Sequence, residues 1–236
     1  MNLPRISPIN TEIILCENQR NQRETFLISM LFTKQELQYK LSRELPGVHS
    51  HLKLAPAHRA DELRNNKDAV NARKSAVMIL FFQEDNVLKM IVIRRSVYVG
   101  IHSGQIAFPG GRYEEEDGEV RVTALREIEE EIGIPAEKIE IIGRLSDIYV
   151  PPSNFLISVF VGHLAEKPQY KIDEREVDEV IEIPFSDFFK PDVVKQKDFY
   201  VNSIKAVSNA PYFDVTNAEI WGASAMVISE LLDILK

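Results

Sequence analysis

The sequence predicts an α/β protein, an α/β/α sandwich on a mixed β-sheet with a helical arm ahead of it. Three observations carry that expectation. Two β-rich runs, at 76–82 and 88–94, flank the turn-forming stretch Gln83-Glu84-Asp85-Asn86 and read as a hairpin. A segment at about 119–132 has separate charged and apolar faces at helical spacing and ends on Gly133, a residue suited to the position after a helix. Residues 223–235 repeat apolar side chains at helical spacing and should pack on the sheet.

Residues 1–29 mix polar and apolar side chains with little helical order. They read as an extension, or as sequence upstream of the true start. A short amphipathic helix is expected over about 31–44, ended by Leu45-Pro46-Gly47. A charged, proline-marked arm then runs over 46–74, and the core is expected to start at Ser75, giving an extension over 1–74 and one domain over 75–236. Further strands are expected at 139–145, 155–164, 177–183 and 197–201.

Composition bounds the function. The 236 residues, 44% of them hydrophobic, suffice for one domain with a sizeable core. A net charge of −8 and the lack of a Lys/Arg-dense stripe argue against a nucleic-acid surface. A phosphate-bearing substrate must then be met by local arginines and by metal. The single Cys16 rules out an internal disulfide and fits a reducing cytoplasm. No apolar run approaches the roughly 18 residues of a membrane span, and the N-terminus has no export pattern, so the expected location is cytoplasmic with no membrane partner.

The predicted helix carries the chemistry. On a wheel of about 100° per residue, Glu127, Glu130 and Glu131 share a sector roughly 100° wide, while Leu125, Ile128 and Ile132 form a separate apolar stripe. Like charges three and four residues apart cost a few tenths of a kcal/mol per pair. Two explanations stand on residue types alone: a solvated face paired with Arg121 and Arg126, or a hard divalent cation held by carboxylate oxygens.

The order of the segment resembles the Nudix box, Gly-x5-Glu-x7-Arg-Glu-U-x-Glu-Glu-x-Gly-U, with U a bulky aliphatic. Gly111 opens it, and Arg126-Glu127-Ile128-Glu129-Glu130-Glu131-Ile132-Gly133-Ile134 matches every fixed position of its second half, so the box spans 111–134. Asp117 replaces the first glutamate, and eight residues rather than seven separate it from Arg126. Upstream, Arg95-Ser96 and Gly104-Gln105-Ile106-Ala107-Phe108-Pro109-Gly110-Gly111 resemble the extra motif of the coenzyme A pyrophosphatase branch. Gly100 stands where that motif has a second arginine, and Ile93 where it has threonine. Arg94, His102 or Lys89 could supply the missing cation.

This resemblance implies a Nudix fold and a hydrolase that uses Mg²⁺ or Mn²⁺ to cleave a diphosphate, here that of coenzyme A or a derivative, giving 3′,5′-ADP and a 4′-phosphopantetheine. It implies metal ligands at Glu127, Glu130, Glu131 and the Gly111 carbonyl, with Glu127, Glu130 and Arg126 in catalysis. Substrate contacts are expected from Arg95, Ser96, His102, Gly104, Gln105, Phe108 and Gly110. The general base stays open between a box glutamate and the loop acids Asp173, Glu174, Glu176, Asp178 and Glu179. Tyr149, Pro152, Ser153 and Asn154 are expected in a loop near substrate, with Tyr149 stacking on a base or covering the core edge. Trp221 is expected to pack at the start of the last helix. A homodimer is left open by the family. Two other readings remain: a Nudix diphosphatase for a dinucleotide, nucleotide sugar or nucleoside triphosphate, and a Nudix-fold binding module without turnover.

Overall fold

A computed structural model describes residues 33–60, 63, 69, 71–97, 104–202 and 205–236. Residues 1–29 and the loop holding Gly100 and His102 lie outside them. The first long strand, β1 (Arg73–Glu84), shows how the layers arise. Its side chains alternate between two cores: Ala76, Met78, Leu80 and Phe82 face one way, and Ile79 and Phe81 face the other. Both faces are apolar because both are covered.

β1 turns into β2 (Val87–Arg95) through Asp85 and Asn86, both at positive φ, the tight hairpin geometry that these residue types tolerate. The other strands of the large sheet are β3 (Ile106–Ala107), β4 (Gly110–Arg112), β5 (Ile139–Arg144), β6 (Ile148–Val150), β7 (Phe155–Leu164) and β8 (Val177–Pro184). Its main path runs β3-β2-β1-β7-β5; β4 also pairs with β1, β6 with β7 and β8 with β2. Only β1 and β7 run parallel, so the sheet is mixed. A second sheet holds β9 (Val194–Val201), β10 (Ala206–Val215) and β11 (Ala218–Trp221), in the order β11-β10-β9.

Helices cover the two faces of the large sheet. Helix α3 (Val120–Ile132) buries Ala124, Ile128 and Ile132 against the even-numbered face of β1. It stops at Gly133, whose φ of 72° continues no helix and whose N–H donates to the Glu129 carbonyl. On the opposite face lies α4 (Gly222–Leu235), joined by α1 (Lys34–Leu41), which contributes Leu37 and Leu41. The architecture is the expected α/β/α sandwich.

The arm is not a loose appendage. Its short helix α2 (Val48–His51) is fixed to α4 through Glu230, a carboxylate with 0% exposure. Glu230 bonds His51 Nε2 at 2.9 Å and accepts from Gly47 N at 3.0 Å and Ser146 Oγ at 2.6 Å. Ser229 Oγ donates to the Ser50 carbonyl beside it. Leu54 reaches the same core as α4.

Several expectations shift in detail. The first helix is shorter than 31–44, with Thr33 capping Glu36 N and Ser42 closing it. The stretch Phe108–Gly111 carries the start of β4, because Gly110 and Gly111 pair with Val77 and Ala76. Tyr149 lies in β6 rather than in a loop. Strands β10 and β11 fall where no strand was expected, and Thr216 and Asn217 between them repeat the positive-φ hairpin device.

Candidate active site

Sequence brings three of the expected residues to one place through β4. Gly110 has a φ of 145°, and a Cβ there would sit 2.2 Å from the Ala76 carbonyl oxygen. A Cβ on Gly111 would lie 2.4 Å from the Glu127 carboxyl carbon. Two side-chain-free residues therefore let α3 press its carboxylates onto the strand backbone.

Glu131 is the innermost of them. On the helical wheel it belongs to the charged sector, yet its side chain is 1% exposed. Its Oε2 accepts from Gly110 N at 2.9 Å, and its Oε1 accepts from Arg95 Nη1 at 3.3 Å. Burial pushes its pKa up to about 7, against the pull of these two donors, with the charges of Glu127 and Glu176 adding to the rise. Glu127 is also raised, by burial first, although Arg126 lowers it. Glu130 is exposed and accepts from Arg126 at 3.0 Å.

Arg126 is the hub of the cluster. It donates to Glu127, Glu130 and the Arg112 carbonyl, each at 3.0 Å. Its two-point partner is Asp117, through Nε at 2.8 Å and Nη2 at 3.1 Å. The Asp117 carboxylate also accepts from Thr123 Oγ1 and Glu114 N, and the Arg126 guanidinium holds it far below the usual carboxylate range. The departure at 117 is thus absorbed: the shorter acid anchors Arg126 and the start of α3.

The structure sorts the remaining expected residues. Arg95, Gln105, Phe108, Gly110 and Gly111 line one cleft of about 390 Å³ on the α4 side of the sheet. Ser96 does not line it; its hydroxyl donates to the Glu174 carbonyl and its N–H to the Glu176 carbonyl, which ties down the loop after the box. Gly104 holds a turn at a φ of 68° and is also absent from the cleft wall. His102 lies outside the described residues. The two described candidates for the missing cation point elsewhere: Arg94 pairs with Glu179, and Lys89 pairs with Glu84 and Glu182. Tyr149 donates its hydroxyl to Asn154, while Pro152 and Ser153 reach the cleft. Trp221 stacks on Phe199 at 4.4 Å.

Three contributors with basic side chains were not expected at the site. Arg112 lines the cleft next to Gly111, and His58 and Arg59 enter it from the arm, with Arg59 Nη2 donating to the Tyr149 carbonyl at 2.6 Å. No local pattern around residues 57–59 signals that placement, which rests on partners distant in sequence, Ser208 for His58 and the Tyr149 carbonyl for Arg59.

Among the described residues no group of three or more His, Cys, Asp or Glu side chains stands at metal-binding spacing. Glu127, Glu130 and Glu131 are not gathered on one point, because Arg126 draws the first two and Gly110 and Arg95 hold the third. The donor set nevertheless fits a hard cation. It offers carboxylate oxygens on adjacent turns, and burial with mutual repulsion drives two of them toward protonation, the electrostatics of a place short of positive charge.

This fold and carboxylate helix define a hydrolase of the Nudix class. The sequence profile of the NUDIX domain matches residues 72–206, more than half of the chain, and the chain belongs to that family. It is 30% identical over 176 residues to a protein of Escherichia coli O1:K1 / APEC described as an uncharacterized Nudix hydrolase, NudL; the match covers 70% of this chain and 84% of the relative. The NudL protein of Shigella boydii serotype 18 matches with the same figures. Among solved structures, a MutT/nudix family protein from Enterococcus faecalis is 15% identical with a TM-score of 0.48, covering 69% of this chain and 61% of that one.

Proposed function

We propose that this Nudix hydrolase cleaves the diphosphate of coenzyme A or a derivative of it, giving 3′,5′-ADP and a 4′-phosphopantetheine. The observation that carries the reading is the meeting of Arg95 and Gly110 with Glu131, and of Gly111 with Glu127. Arg95, Gly110 and Gly111 are residues of the motif ahead of the box that also line the cleft. That motif is the one that resembles the coenzyme A branch.

Glu127, Glu130 and Glu131, with the Gly111 carbonyl, are the residues that would hold Mg²⁺ or Mn²⁺. Such an ion neutralises non-bridging oxygens and acidifies a water. The chain's own groups do the rest. Arg95, which lines the cleft while bonding Glu131, is positioned to bind a phosphate oxygen and to hold that glutamate at the strand. Arg126, fixed by Asp117, orients Glu127 and Glu130. Gln105 and Arg112 add donors along the cleft wall.

Among the loop acids, we assign proton acceptance to Glu176. Asp173 is committed to Arg175 and Glu179 to Arg94. Glu176 follows Asp173 in a loop bonded to Ser96, next to Arg95, and its charge is felt by both Glu127 and Glu131.

The test is a substrate panel with Mg²⁺, with Mn²⁺ and with a chelator: coenzyme A, acyl-coenzyme A, dinucleotides, nucleotide sugars and nucleoside triphosphates. Metal-dependent turnover of coenzyme A or its thioesters supports the reading. Brisk nucleotide-sugar or dinucleotide turnover without coenzyme A turnover replaces it with the broader diphosphatase, and binding without any turnover replaces it with a ligand-binding module.

A further inference from the structure

Residues 171–177 form a strap bonded to the carboxylate helix at one end and to β2 at the other. Lys171 N donates to the Ile132 carbonyl at 2.9 Å, and Asp173 N to the Glu131 carbonyl at 3.0 Å. Both acceptors belong to the last turn of α3, whose carbonyls have no partner inside the helix. The approach is close because Gly133 has no side chain: a Cβ there would lie 2.6 Å from Lys171 Cβ and 2.8 Å from its carbonyl oxygen. Asp173 then turns the chain. Its carbonyl accepts from Glu176 N and Val177 N, and its carboxylate from Arg175 N.

Ser96 closes the second end, with its N–H on the Glu176 carbonyl at 2.9 Å and its hydroxyl on the Glu174 carbonyl at 3.0 Å. One bond would let the turn rock; two donors on one residue fix its orientation. The pairing beside it is irregular. Arg94 stands opposite Glu179 but Arg95 opposite Val177, which leaves Asp178 as the extra residue of a bulge. Arg95 bonds Glu131 while its neighbour holds the strap, so the box helix, β2 and the strap form a closed ring of contacts. Glu176 is exposed at the end of this ring. Burial raises the Glu127 and Glu131 carboxyls first, and the Glu176 charge adds to the rise in both.

We infer that Ser96 is a positioning residue for the reaction: by fixing the second end of the strap, it sets where Glu176 stands relative to the carboxylates of α3. This rests on the diphosphatase reading and on Glu176 as proton acceptor. In that step the attacking water passes a proton to Glu176 as its oxygen bonds to phosphorus, and the bridging oxygen leaves with the electron pair of the broken bond. Ser96 does not line the cleft, so this task replaces the substrate contact expected of it.

A general base contributes about a hundredfold or more, and a displacement of about 1 Å can cost as much. Turnover of coenzyme A and of ADP-ribose is followed with Mg²⁺, binding of both in chelator, and amide exchange in the free protein. Ser96→Ala should lower kcat about tenfold, leave affinity within about twofold, and speed exchange at Asp173, Glu176 and Val177 about tenfold. Ser96→Thr, which keeps the hydroxyl, should restore at least about half of the turnover. In a Glu176→Gln background Ser96→Ala should cost less than about twofold. Losses that multiply in the double variant, or a defect confined to substrate affinity, overturn the inference. So does a Glu176→Gln protein that works at the wild-type rate. Wild-type protein inert toward both substrates removes the diphosphatase and this inference with it, whereas wild-type turnover with Ser96→Ala unimpaired removes this inference alone.

Discussion

Asp117 grips Arg126 at two points, 2.8 Å and 3.1 Å, with only 4% of the aspartate side chain exposed. The pair decides where the box arginine points, and hence how Glu127 and Glu130 are held. Asp117→Asn takes away the two-point partner of Arg126, leaving it Glu127 and Glu130, and should cost roughly 2 kcal/mol in urea unfolding at pH 7. The folded carboxyl lies below its ordinary value, so its contribution is complete above about pH 5 and is lost as pH falls below about 4. Wild type and variant should converge in acid. A constant gap down to pH 2 contradicts this.

Glu131 has the opposite sign. Its pKa is raised from 4.5 to about 7, so the folded state prefers it protonated, and that preference is present below pH 4.5 and lost as pH rises through 7. In chelator the wild-type protein should lose up to about 3 kcal/mol across that window. Glu131→Gln, which keeps an acceptor for Gly110 N, should not lose it. Parallel stability curves for the two proteins would remove burial as the cause.

The two box glycines should fail differently. At Gly110 a methyl meets the Ala76 carbonyl at a φ that L-residues avoid, so Gly110→Ala should cost several kcal/mol or prevent folding. At Gly111 the obstacle is the flexible end of Glu127, which can swing away. Gly111→Ala should unfold within a few degrees of wild type while turnover drops at least tenfold. Normal turnover in Gly111→Ala would detach Glu127 from the chemistry.

Glu230 accounts for the arm. Glu230→Ala strands His51, Gly47 N and Ser146 in a buried place and should cost about 3 kcal/mol or more. Amide exchange should rise first over residues 47–54. Uniform loosening of α4 with the arm still protected would contradict the latch.

Much of this was legible in the sequence, for physical reasons. The β-rich runs of β1 and β7 and the apolar spacing of α3 and α4 are local, and each element formed where its pattern lies. The wheel placed Glu127, Glu130 and Glu131 together, but it could not show that Glu131 is buried or that Arg126 draws Glu127 and Glu130 aside, since both depend on contacts from β4 and from Asp117. The strand at Gly110 and Gly111 left no local signal because its pairing with β1 is long-range. Arg59 and His58 gave no signal, because what carries them to the cleft is long-range: Glu230 on the last helix holds His51, Ser208 bonds His58 and the Tyr149 carbonyl accepts from Arg59. Strand β10 carries Pro211 and alternates polar with apolar residues too weakly to stand out.

The most direct test follows coenzyme A with Mg²⁺ in wild-type protein and in Glu131→Gln, with products separated and identified. The expected result is 3′,5′-ADP and 4′-phosphopantetheine from the wild type, none in chelator, and a rate at least a hundredfold lower from a Glu131→Gln protein that is fully folded. Equal rates in the two proteins, or turnover undiminished by chelator, would contradict a metal-dependent diphosphatase centred on α3.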